Sequence, residues 1–143
     1  MLYNDVLLGI YDSTVVGGES EYYKKLKQKH AKSAKENGEY GYLFDVQEKL
    51  YAVLEDKFCL GVQLRESDQK GDKKALGAYL PLLKSLPNQV EALYQAVKKL
   101  WEKENKPFGL EVELLDALGG GKEFVKKPVH SSVWKSIISV SGI

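Results

Sequence analysis

Val90, Leu93, Tyr94, Val97, Leu100 and Trp101 recur at spacings of three and four, and the run then meets Asn105-Lys106-Pro107. No other feature restricts the fold of this chain as much. An apolar stripe with that period is one face of an amphipathic helix, which must be covered by other elements. The proline limits where the helix can reach. The residue before a proline is pushed out of the helical region, so Lys106 is a poor interior position. Phe108-Gly109 then opens a second apolar segment. Trp101 and Phe108 flank the turn, placed to pack across it, and Gly109 is free to take whatever dihedral the turn requires.

The preceding chain supplies covering elements of the same kind. Residues 19–37 read as a helix with Ser20 as its cap and an approximate stripe of Tyr22, Tyr23, Leu26, His30 and Ala34. Lysines fill much of the remaining circumference, and Asn37-Gly38 supplies the stop. A second helix is predicted over 42–70, from Leu43, Val46, Leu50, Val53, Leu54, Phe58 and Val62. Gly61 falls inside it at a cost of roughly 1 kcal/mol relative to alanine, and would let a neighbouring helix approach. Gly71-Asp72 ends that helix and caps a third, 73–86, carrying Leu76, Leu80, Leu83 and Leu86. Pro81 should break it near Tyr79-Leu80. Pro87-Asn88 is expected to open the fourth helix, with Asn88 as cap and Glu91 reaching back.

The expected fold is mainly α: an antiparallel bundle of about four helices over 19–127. Short extended segments flank it, a strand and loop over 1–18 and a β-branched, serine-rich tail over 128–143. The run Leu110-Glu111-Val112-Glu113-Leu114-Leu115 fits helix or strand equally, and Gly119-Gly120-Gly121 interrupts it. The apolar run Val6-Leu7-Leu8 has no visible strand partner nearby, and a lone strand is unstable.

Composition narrows the function classes. With 43% hydrophobic and 29% charged residues in a chain of 143, the balance is that of one ordinary globular domain. A formal net charge of +1 argues against a commitment to nucleic acid or to an anionic membrane. The lone cysteine, Cys59, excludes an internal disulfide and fits a reducing compartment. No apolar run is long enough to span a bilayer, and the N-terminus lacks the pattern of a signal peptide. The expectation is a soluble, cytoplasmic protein.

Candidate chemistry is sparse. Gly121-Lys122 lacks the glycine five residues earlier and the Ser or Thr after the lysine that a phosphate loop needs, since Asp116 and Glu123 stand there. His30, His130 and Cys59 show no metal-ligand spacing, so neither metal nor cofactor is expected. His130-Ser131 lacks a nucleophile elbow and an orienting acid. Nine tyrosines and two tryptophans offer planes on which sugar faces could stack, although such residues more often sit in cores and boundaries.

Two stretches carry a family resemblance: Leu2-Tyr3-Asn4-Asp5-Val6-Leu7-Leu8-Gly9-Ile10-Tyr11-Asp12 and Trp101-Glu102-Lys103-Glu104-Asn105-Lys106-Pro107-Phe108-Gly109-Leu110-Glu111-Val112. With the helices between them they resemble the C-terminal part of bacterial family 20 glycoside hydrolases, the exo-acting β-N-acetylhexosaminidases. In that family a (β/α)8 barrel carries the active site and a helical region follows it. The resemblance implies a barrel domain, or a second copy of the chain, as partner. It implies N-acetylhexosaminide binding only within a full enzyme.

The family's catalytic Asp-Glu pair lies upstream, and this sequence contains no Asp-Glu dipeptide. In the family the glutamate is the general acid and the substrate's own acetamide attacks the anomeric carbon, an exception to the two-carboxylate scheme. No catalytic residue is therefore carried over. By resemblance Tyr3 and Asp5 fall at a strand end that points at the non-reducing sugar, and Trp101 lies near a pocket or a dimer contact, with a role as bundle anchor the stronger reading. After Val112 the chain departs from the family, with Leu115-Asp116-Ala117-Leu118-Gly119-Gly120 lacking the family's arginine. A free-standing helical interaction module, or one half of a split hexosaminidase, are the alternatives.

Overall fold

The computed structural model describes residues 12–105, which fold into a mainly helical unit. A 3-10 turn, Asp12–Thr14, precedes α1 (Glu19–Glu36), and a second, Gly38–Tyr40, leads into α2 (Gly41–Lys57). α3 (Leu60–Gln69), α4 (Lys73–Ala78) and α5 (Leu80–Glu104) follow, and no strand occurs among the described residues. The extended segments expected at both termini, Tyr3 and Asp5 with them, lie outside the described residues.

Several boundaries follow from local chemistry. α1 starts after Gly18, whose φ of 87° is left-handed, with Glu19 and Glu21 in the first turn where the helix dipole favours acids. Ser20 is thus a helical residue, not the expected cap. The helix stops where Asn37 turns back: its side-chain amide and its backbone N–H both donate to the Ser33 carbonyl. Gly38, at φ 51°, then reverses the chain. Asp72 caps α4 by accepting the Ala75 N–H at 2.9 Å. The expected break at Tyr79 is present, because Pro81 sits in the first turn of α5, where a missing N–H is harmless.

Two expectations need correction. The helix predicted over 42–70 divides at Phe58-Cys59 into α2 and α3. Leu60 and Leu64 continue the spacing of Val53, so apolar periodicity passes over the break without marking it. Pro87-Asn88 opens no helix: Pro87 lies inside α5, and Asn88 is an exposed interior residue. The stripe of Leu86, Val90 and Leu93 is continuous with the leucines before it, and the packing holds one helix through the proline. Among the described residues the chain forms five α-helices, with α1, α2 and α5 supplying most of the length.

The core is built from Val53, Leu60, Leu64, Leu76, Leu86, Val90 and Leu93, contributed by α2, α3, α4 and α5. α1 adds no fully buried residue. It packs on α2 through a seam of rings: Tyr23 lies against Tyr51 and Phe58, and His30 lies against Phe44 and Tyr51, with centroids 5.1–6.1 Å apart. Lys27 pairs with Glu55 beside this seam. At its far end Gly41 meets Ala34 so closely that an added Cβ would stand 2.3 Å from the Ala34 carbonyl oxygen. Along this pair, residue numbers on α2 fall as those on α1 rise. α5 crosses α2 in the same opposed sense, with Gln89 donating to Asp56 at one end and Tyr42 bonded to Glu104 at the other.

Candidate functional site

Of the three residues singled out by resemblance, only Trp101 is described. It sits half-buried near the end of α5, and its carbonyl accepts the Asn105 N–H at 2.8 Å as the helix closes. Asn105 itself is extended, with φ −125° and ψ 165°, so the backbone leaves the helix one residue before Lys106. That agrees with the constraint imposed by Pro107.

The last turn of α5 is tied to the start of α2. The Tyr42 hydroxyl donates to Glu104, and the Lys103 ammonium stands 3.6 Å over the Tyr42 ring while donating to the Glu39 carbonyl at 3.1 Å. An ammonium over a ring face is attracted by the ring quadrupole. The hydrogen bond to the Glu104 carboxylate pushes the Tyr42 phenol up to about 12. These partners are more than sixty positions apart in the chain. No spacing signal announces them.

Beside this cluster an open groove of about 480 Å³ is lined by Ala31, Ala34 and Gly41 together with Lys35, Asp45 and Lys49. The groove exists because small residues let α1 and α2 approach at this end. Three of its charges, Asp45, Glu48 and Lys49, are committed to one another. Lys49 bonds to Glu48 and pairs with Asp45 at 3.6 Å, and the Glu48 bond raises its pKa.

The opposite end of α2 holds a second constellation. The Glu19 carboxylate accepts the Val16 N–H at 2.8 Å, and the buried Cys59 thiol contacts its other oxygen at 3.6 Å. The Val16 bond is the main reason that the Glu19 pKa lies below its ordinary value of 4.5. Among the described residues no group of three or more His, Cys, Asp or Glu is placed to hold a metal ion. Among them, too, no helix is long and apolar enough to cross a membrane.

A helical domain with its own core, whose polar constellations tie its helices together, is the class of protein that this geometry defines. The chain matches the Glycoside Hydrolase 20C C-terminal domain family over residues 1–123, and it belongs to that family. The match covers the N-terminal stretch and all five helices, including both motifs that carried the sequence resemblance. A comparison with curated proteins found no match.

Proposed function

We propose that this chain is the C-terminal helical domain of a β-N-acetylhexosaminidase, and that it works by supporting a (β/α)8 barrel and not by catalysis of its own. The family match over residues 1–123 carries the reading, because it joins the N-terminal segment and the helices into one unit. Residues 1–18 are then the junction with the barrel, 19–127 the helical domain and 128–143 a closing tail. The opposed contacts of α1 with α2 and of α2 with α5 favour an antiparallel bundle. Tyr3 and Asp5 reach sugar hydroxyls only in the assembled enzyme, and Trp101 anchors the bundle at the end of α5. The lone Cys59 suits a reducing compartment such as the cytoplasm.

The absence of an Asp-Glu dipeptide leaves the chain without the family's general acid and acetamide-orienting pair. The purified chain, offered a chromogenic N-acetylglucosaminide, should give no turnover above buffer. Turnover that Asp5→Ala abolishes would overturn the proposal. In the positive direction, a barrel polypeptide bearing the Asp-Glu pair should gain solubility or activity when co-expressed with this chain.

A further inference from the structure

The two places where the chain leaves the described helices are each fastened to an opposite end of α2. On the N-terminal side, the loop before α1 is held through Glu19, which takes the Val16 N–H and the Cys59 thiol just past the last turn of α2. On the C-terminal side, Lys103 and Glu104 at the end of α5 are held by Tyr42 and the Glu39 carbonyl at the first turn of α2. Helix ends and loops fray by default, and exposed contacts of this kind matter most where they stop such fraying. Tyr42 and Cys59 stand seventeen positions apart, and residues 42–57 of that stretch are helical.

We infer that α2 is a strut: a rigid spacer that fixes the distance between the two exits of the chain, at residues 16 and 105. At 1.5 Å per residue a helix of this length sets the spacing at about 25 Å. The strut is stiffened along its whole length. The ring seam and the Lys27–Glu55 pair brace it against α1, and Asp56–Gln89 and the core brace it against α5. All these contacts are internal to the helices, so the spacing holds whether or not a barrel accompanies them. Residues 16 and 105 are thereby two fixed points, as a support that grips a neighbouring domain at two places would require.

Spin labels on ketone-bearing residues at positions 16 and 105 leave Cys59 untouched, and Val16 at 90% exposure accepts one without repacking. Pulsed dipolar spectroscopy of the full chain should give one narrow distance distribution. Glu19→Ala should broaden it by freeing the N-terminal exit, and Glu104→Ala by freeing the C-terminal one. Tyr42→Phe, which keeps the ring under Lys103 and removes only the hydroxyl, should give a smaller broadening than Glu104→Ala. Circular dichroism should show full helix content in all three variants. A broad distribution in the parent chain, or variants that leave the parent's distribution unchanged, overturns the strut. Because the readout is a distance and not turnover, its failure is separate from failure of the hexosaminidase reading.

Discussion

At the scale of single residues, Gly41 is the most constrained position described. It is buried, and the atom nearest an added Cβ is a backbone oxygen, which cannot swing aside as a side chain would. Gly41→Ala should therefore force α1 and α2 apart and cost about 1–3 kcal/mol, as overpacking does elsewhere. A shift in the urea midpoint with unchanged slope would show it. Tyr42 makes a second residue-level prediction. Its folded pKa is raised from 10.0 to about 12 by the bond to Glu104, so the fold favours the neutral phenol. The contribution is intact below pH 10 and is lost as pH rises through about 12. In an ultraviolet titration of the tyrosines, Tyr42 and Tyr23 should both ionise late, and Glu104→Ala should lower Tyr42 alone. Tyr23, raised mainly by burial, should persist as a late titrator in that variant.

At the scale of elements, depth in the core sorts residues that the sequence pattern treats alike. Leu86 and Leu43 both fall on apolar stripes, yet Leu86 is 1% exposed and Leu43 is 38% exposed. Leu86→Ala should cost about 2–5 kcal/mol by opening a cavity. Leu43→Ala should stay within about 0.5 kcal/mol, as surface changes usually do. Chemical denaturation of the two variants side by side decides it. The same elements show what could be read in advance. Helical periodicity, the Asn37-Gly38 stop, the Asp72 cap and the Pro81 break were all legible, because each is a local rule acting within four residues. The division at Phe58-Cys59 and the passage of α5 through Pro87 were not. There the local signal, unbroken spacing in one case and a proline in the other, gave way to packing between helices remote in sequence. Trp101 was singled out as an anchor, but the cluster of Tyr42, Lys103 and Glu104 was not, since its contacts join residues about sixty positions apart.

At the scale of the whole molecule, the helices are unequal partners. α2 to α5 share the core, whereas α1 is held by half-buried rings and one partly buried ion pair. Local stability follows burial, so α1 should open at lower free energy than the middle of α5. Native-state hydrogen exchange should find the amides of Lys24–Lys32 less protected than those of Leu86–Ala96. Equal protection would mean that the ring seam contributes as much as the aliphatic core. The outer face of α1 carries the exposed Lys24, Lys25, Lys29, Lys32 and Lys35, which favours solvent, while α2 and α5 carry the load between the two chain exits.

The fastening of α2 at both ends also bears on how the length of this domain can drift over generations. One residue inserted within α2 would turn Tyr42 by about 100° relative to Val53 and lengthen the helix by about 1.5 Å. Either the bond to Glu104 or the seat of Val53 in the core would then be lost. Single-residue insertions and deletions should therefore be purged from 41–57. The turn at Gly71, where an added Cβ would meet nothing within 4 Å, is where length is freer to vary.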